Sequence, residues 1–345
     1  MIKESCTARE RMMAAYDFKR PDRVPVFLNN SLGTSRCIGI KIREMLKNPE
    51  KFSEALCSGY KKYGYDGIRI TCDVTVEAEA MGAKTHYPED AMVSIVEHPI
   101  KSPPDFQKLK MPNPYTDGRM PVMVKTTEMT RRNMGDNVFI ISSVQGPLNT
   151  ASQLLGVSEM MMMIIDEPEY LNKILDFSAE LTVSYGKAMY KAGADGVMIG
   201  EAVCSPAFIG QRHYIEFAKK RHAMIIDEFK RCGMRYHGFH ICGQLGPILQ
   251  DVADTGVDSA DVDSSVDMKA ARELLGNKMT LLGNISPSEL FNEKPQRITE
   301  LCEDILSGKD GLGLVLGAGC TMSPDTSEAN IRAMTEAAKK YGVYE

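Results

Sequence analysis

Eight short, apolar, β-rich runs punctuate this chain, and most of the gaps between them carry a 3.6-residue helical period. The runs are Val24–Asn29, Gly67–Thr71, Val138–Val144, Asp195–Gly200, Tyr236–Cys242, Val257–Asp263, Met279–Asn284 and Gly313–Gly319. Strand followed by helix followed by strand argues for a parallel sheet, because a parallel neighbour needs a long crossover. Eight such units favour closure into an α/β fold of the (β/α)8 TIM-barrel type over an open, doubly wound sheet. Glycines stop several helices just before a strand, as at Gly64, Gly193, Gly233, Gly256 and Gly276. Pro168 divides the long helical stretch Ser158–Gly193 into two helices. One excursion, residues 84–131, is rich in proline and is expected to be an elaborated loop over one end of the barrel. No low-complexity linker divides the chain, so residues 1–345 are expected to form one domain.

Composition then narrows the function classes. Lys and Arg number 41 against 46 Asp and Glu, a net charge of −5, which opposes a nucleic-acid partner. No apolar run is long enough for a membrane span. The start, MIKESCTARERMMAAYDF, reads as an amphipathic helix rather than a signal peptide. Nine irregularly spaced cysteines are expected to be reduced thiols of a cytoplasmic protein. Neither dinucleotide-binding nor P-loop glycine patterns occur.

Function in a barrel collects where strands end. Here those ends offer Asn29 and Asn30, then Cys72 and Asp73 with Glu77 a turn later, then Gln145, Glu201, His240 with Cys242, Asp261 with Asp263, Asn284 and Cys320. Residues i and i+2 of a strand share a face, so the His240 imidazole and the Cys242 thiol converge. Cys320 follows the eighth run, and Glu201 ends the run before His240. Two thiolates, one imidazole and one carboxylate suit a four-coordinate zinc ion. The bland alternative is a core histidine beside two small buried thiols. Asp73, Glu77 and Asp263 are candidates for acid–base work, and the amides Asn29, Asn30, Gln145 and Asn284 for substrate binding. His213 and His222 are expected on a helix surface, and His237, of opposite parity to His240, facing the surrounding helices.

The stretches TARERMMAAYDFKRPDRVPV, CDVTVEAEAMGAK, VQGPLNTASQLLG, VDSSVDMKAARELLGNKMTLLGNISP and GLGLVLGAGCTMSPDTSEANIRAMTEAAKKYG resemble, in that order, segments of the uroporphyrinogen decarboxylase superfamily. The resemblance implies a (β/α)8 barrel. Two departures argue against decarboxylation. The family's arginine-rich stretch after the first strand is Asn29-Asn30-Ser31-Leu32-Gly33 here, without cations for substrate carboxylates. The family's late histidine is Cys320.

His240, Cys242 and a distant Cys320 are similar instead to the methyltransferase branch, in which zinc enzymes exchange methyl groups with a corrinoid-binding partner protein. The spacing Glu201, Glu216, His237 also fits a pattern described for O-demethylase methyltransferases, and both sets cannot define one site. The set His240, Cys242, Cys320 with Glu201 is physically the better one. The resemblance therefore implies Zn2+, cobalamin carried by a partner, and transfer of a methyl group from a small methylated substrate, an aryl methyl ether, to cob(I)alamin. Glu201, the hardest donor, would leave the metal to open a position. The rivals are methylcobalamin:thiol (coenzyme M) transfer, a tetrapyrrole decarboxylase, and a non-catalytic corrinoid-binding barrel. The thiol rival wants a cation at the mouth, where only the loop residues Arg36 and Arg212 are expected. Nothing in the sequence opposes a homodimer.

Overall fold

The computed structural model describes residues 4–307 and 312–344. Seven parallel strands form one curled sheet in the order β1 (Gly67–Ile70), β4 (Phe139–Gln145), β5 (Gly196–Gly200), β6 (Tyr236–His240), β7 (Ser259–Val262), β8 (Thr280–Ile285) and β9 (Leu314–Ala318). Each coincides with one of the eight expected runs, and helices join them as a parallel ladder requires.

The remaining run, Val24–Asn29, is extended chain rather than a full strand. It lies between the sheet's two edges and closes the barrel. The Phe27 N–H donates to the Leu316 carbonyl and Leu316 N–H to that of Pro25, while Asp66 N–H donates to Val26. Only Val26 forms a bridge, to Leu316. Pro25 has no N–H to give, and the Val26 N–H goes to the Asp66 carboxylate, so the ladder is sparse on this side.

The excursion is more structured than expected. It holds a hairpin, β2 (Lys84–His86) against β3 (Ser94–Glu97), and a short helix Pro103–Lys108. Its C-terminal part belongs to the helix Met120–Met134, which buries Met123, Val124 and Thr127. That helix is the crossover from β1 to β4, so the loop expected over residues 84–131 ends near residue 119. Its threonine-rich, charged sequence hides the helical period, and Pro121 sits in the first turn, where a missing N–H costs nothing.

Alternation along the strands builds two cores. Inward residues Phe139, Ile141, Met198, Tyr236, Leu282 and Val315 pack on Met12, Ala15 and Tyr16 of the helix Ala8–Tyr16, which plugs the barrel's N-terminal end. Tyr16 meets Tyr236 edge-on at 5.2 Å between ring centres. Arg11 and Arg23 both pair with the buried Asp66 carboxylate, at 2.5 and 2.7 Å, and fasten the plug. Outward residues such as Ile68, Ile140, Val197 and Phe239 meet the helices in a second, larger core. With one end plugged, the barrel interior opens at the C-terminal strand ends. Among the described residues no helix is long and apolar enough to cross a membrane.

Candidate metal centre

His240 is the last residue of β6, Cys242 follows two residues on, and Cys320 follows β9. The structure brings the three together. The His240 Nε2 atom lies 3.4 Å from Cys242 Sγ and 3.5 Å from Cys320 Sγ, and the two sulfurs are 3.6 Å apart. Tetrahedral zinc, with Zn–S near 2.3 Å and Zn–N near 2.05 Å, places its donors about 3.8 Å apart for two sulfurs and about 3.6 Å for sulfur and nitrogen. The three donors thus stand within a few tenths of an ångström of three corners of that tetrahedron, and their chemistry suits zinc.

The other ring nitrogen is already committed. His240 Nδ1 lies 2.6 Å from Asp261 Oδ2, and Asp261 is paired with Arg69 at 2.7 Å. This carboxylate fixes the ring so that Nε2 faces the sulfurs, as metal-binding histidines are usually held. Burial disfavours an imidazolium at His240, but the Asp261 carboxylate outweighs it and the ring is pushed up to about 9. Hydrogen bonds from Cys242 and His240 pull the Cys320 thiol down to about 4, while the shared proton with Cys320 and burial push Cys242 up. Arg69 and burial act oppositely on Asp261, which stays below the usual carboxylate range.

Glu201 does not join this centre. It is one residue beyond Gly200, the register partner of His240, so its side chain leaves on the opposite face of the ladder. There the fully buried carboxylate accepts N–H bonds from Leu148 (3.2 Å) and Asn149 (2.9 Å), at the start of the helix Pro147–Leu155. His222 Nε2 is 3.0 Å from it, and Tyr214 holds the other ring nitrogen at 3.2 Å. His222, expected on the surface, is completely buried against the Phe239 ring. Glu201, Cys204 and His222 thus form a second, sealed cluster. The alternative set does not assemble: Glu216 is exposed, and His237, facing outward as its parity requires, pairs with Asp258 at 2.9 Å.

A cavity of about 150 Å3 opens over the His240 centre, lined among others by Asn29, Arg69, Asp73, Gln145 and Met92. Larger clefts exist, but one of about 700 Å3 against Asp22, Arg23 and Lys340 lies on the plugged face and gathers no metal-capable set among the described residues. Asn29 donates to Thr321 Oγ1 at 2.9 Å and keeps a buried Oδ1 with no partner among the described residues. Gln145 accepts from Asn149. Asn30 does not line the cavity; its amide is buried against Gly33 with no partner among the described residues. Asn284 turns to the carbonyls of Asp263 and Val266, away from the cavity. Asp263 caps its own loop through Ser265 N–H. Asp73 is held by Arg119 (2.7 Å) and Thr75, and Arg119 also pairs with Glu79. Glu77 is buried, and loss of solvent pushes its carboxyl up to about 7 although Gln145 N–H donates to it.

Arg69, Asp261 and Arg119 were not assigned a role from sequence. The first was legible: an arginine between Ile68 and Ile70, both outward, must point into the barrel. Arg119 lies in the loop before the unexpected helix and had no such signal.

The model of the uroporphyrinogen decarboxylase (URO-D) family matches residues 7–341. The chain belongs to that family. Within it, the similarity runs to the methyltransferases. A methylcobamide:CoM methyltransferase MtaA from Methanosarcina barkeri is 28% identical over 341 residues, 97% of this chain and 98% of the relative. A methylated-thiol–coenzyme M methyltransferase from Methanosarcina mazei is 25% identical, covering 84% of this chain and 76% of its own. A solved methyltransferase structure from Methanosarcina mazei superposes with a TM-score of 0.90 at 27% identity, over 98% of this chain and 99% of that one. The family member described here thus carries the barrel of that structure, with the metal-capable donors at its open end.

Proposed function

We propose that this protein moves a methyl group between a corrinoid carried by a partner protein and a small substrate bound at His240, Cys242 and Cys320. The observation that carries the reading is the three-donor set at the mouth, which leaves a fourth tetrahedral corner for substrate. Because Glu201 is engaged elsewhere, no ligand has to leave first. Zinc held there would supply a Lewis acid that keeps a substrate thiol as its thiolate. Asp261 keeps Nε2 of His240 turned to the centre, and Arg69 keeps Asp261 ionised. The cavity of about 150 Å3 suits a small molecule and is too small to enclose a tetrapyrrole, so the corrinoid is presented from outside.

A thiol is the substrate best supported. Two sulfur donors make a soft centre that matches a sulfur ligand. The relatives' names point the same way, toward coenzyme M as acceptor. Arg69 also places positive charge in the cavity wall, where the sequence offered only loop arginines. One observation favours a neutral methoxy donor instead: Arg69 is already paired with Asp261, and Arg119 with Asp73.

The test is a purified, zinc-loaded protein with methylcobalamin and 2-mercaptoethanesulfonate, followed by the visible spectrum of released cob(I)alamin. A second arm supplies cob(I)alamin with methoxyarenes. Methyl transfer to the thiol alone supports the first reading, demethylation of the arenes alone the second. Inertness in both arms, with stoichiometric zinc present, overturns both.

A further inference from the structure

Beneath the wall of the substrate cavity lies a second, smaller space of about 10 Å3, enough for the centre of one water molecule. Its lining is mostly polar, beside Cys72, Val76 and Met123. Glu77 and Tyr185 reach it from the helices, and Thr71, Asp73, Ser143 and Gln145 line both this space and the substrate cavity. The Tyr185 hydroxyl is buried and has no partner among the described residues. Glu77 receives Gln145 N–H at 2.7 Å through Oε1. An unpartnered hydroxyl facing a water-sized space beside a buried carboxyl is the setting in which an ordered water completes the hydrogen bonds.

We propose that Glu77, one ordered water and Tyr185 form a proton store for methyl transfer, loaded from the substrate cavity past the hydroxyls of Thr71 and Ser143. The proposal rests on the thiol reading above. In that reaction the S–H bond breaks and its electron pair stays on sulfur. That sulfur bonds to the methyl carbon, and the cobalt–carbon pair remains with the corrinoid. One proton is left over. With the corrinoid protein seated on the barrel mouth, bulk water is excluded and the proton needs a local acceptor. The other acidic candidates are occupied: Asp73 is neutralised by Arg119, and Asp263 binds its own loop. Hydroxyls such as those of Thr71 and Ser143 both donate and accept, so they can pass a proton between the two spaces. After turnover the proton returns by the same route once the partner leaves.

Glu77 suits the role because its carboxyl, raised by burial to about 7, exchanges a proton near neutrality. The ionisable groups facing it are Asp73 and Cys72 beyond β1, Arg119 before the helix Met120–Met134, and Tyr185 of the helix Pro168–Lys191.

Infrared difference spectroscopy on the zinc-loaded protein reads this unit directly. The expected result is a carboxylic-acid C=O band that disappears as pH rises through about 7 and is missing in Glu77→Gln. Tyr185→Phe, which removes a donor from the ionised carboxylate's water, moves that transition to higher pH. During a single turnover with methylcobalamin and 2-mercaptoethanesulfonate the band grows. Glu77→Gln lowers the rate of thiol methylation about 100-fold, within the usual range for proton transfer, with zinc content and KM little changed. A resting protein without the band, a band that does not respond to turnover, or an undiminished rate in Glu77→Gln overturns the proton store. A titrating band in a protein that methylates no thiol overturns the functional reading instead.

Discussion

Two histidine–cysteine clusters flank the same pair of strands, β5 and β6, and they face opposite sides of it. His240, Cys242 and Cys320 look into the barrel mouth, partly exposed, with two sulfurs and a ring nitrogen converging on one point. Glu201, Cys204 and His222 look outward into the helix layer, fully buried. In the sealed cluster the carboxylate spends its lone pairs on two backbone N–H groups and an imidazole. In the open one the remote nitrogen of the histidine is committed to Asp261, and the three converging donors bond to one another. Similar residue types therefore do different work. The sealed set ties β5 to two helices, and the open set keeps its donors for a ligand.

The largest effect expected from this contrast is at the open cluster. Cys242→Ser or Cys320→Ser loses stoichiometric zinc, read by metal analysis, and methyl transfer falls about 1,000-fold, equivalent to about 4 kcal/mol. Next comes His222→Ala in the sealed cluster. It leaves a buried carboxylate short of a donor beside a new cavity and costs about 3 kcal/mol of stability in urea unfolding. Zinc content stays full there, and in Glu201→Gln as well. Zinc lost from either variant would break the comparison, because Glu201 would then have to reach the open centre.

A smaller effect is expected one bond behind the metal. Asp261→Asn removes the carboxylate that orients His240, and zinc affinity in a competition titration weakens about 10–100-fold. The mildest test uses pH on the metal-free protein. A thiol alkylates only as thiolate, and Cys320 is held down near 4, so it is modified at every pH above about 4. Cys204 is pushed up by burial, so it stays unmodified at neutral pH. Peptide mapping after iodoacetamide reads both, and added zinc protects Cys320 while leaving the behaviour of Cys204 unchanged.

The barrel was legible because a strand buried on both faces declares itself by composition, and seven of the eight expected runs are strands. The eighth, Val24–Asn29, was misjudged only in its ladder, since a proline and a carboxylate take up its bonding positions. His240 and Cys242 could be placed by parity within one strand. Glu201 was misplaced because the register between β5 and β6 decides its face, and register is a tertiary quantity. The same argument explains His222: its helix is charged, and nothing in that helix says which face meets a carboxylate from a neighbouring strand. Arg119 lay in a segment read as loop, where side-chain direction has no period to follow.

The seam where Val24–Asn29 meets β9 carries a further consequence. Met322 N–H donates to the Asn29 carbonyl, so the turn that holds Cys320 is stitched to the far side of the seam. Cys242 and Cys320 stand 78 residues apart in sequence, and their sulfurs meet only when the arc from β6 to β9 has curled. A metal held by the three donors would therefore be coupled to the curl of that arc. An ion bound to the curled form alone would act as a clasp from β6 to β9, and its occupancy would report whether that part of the wall has formed.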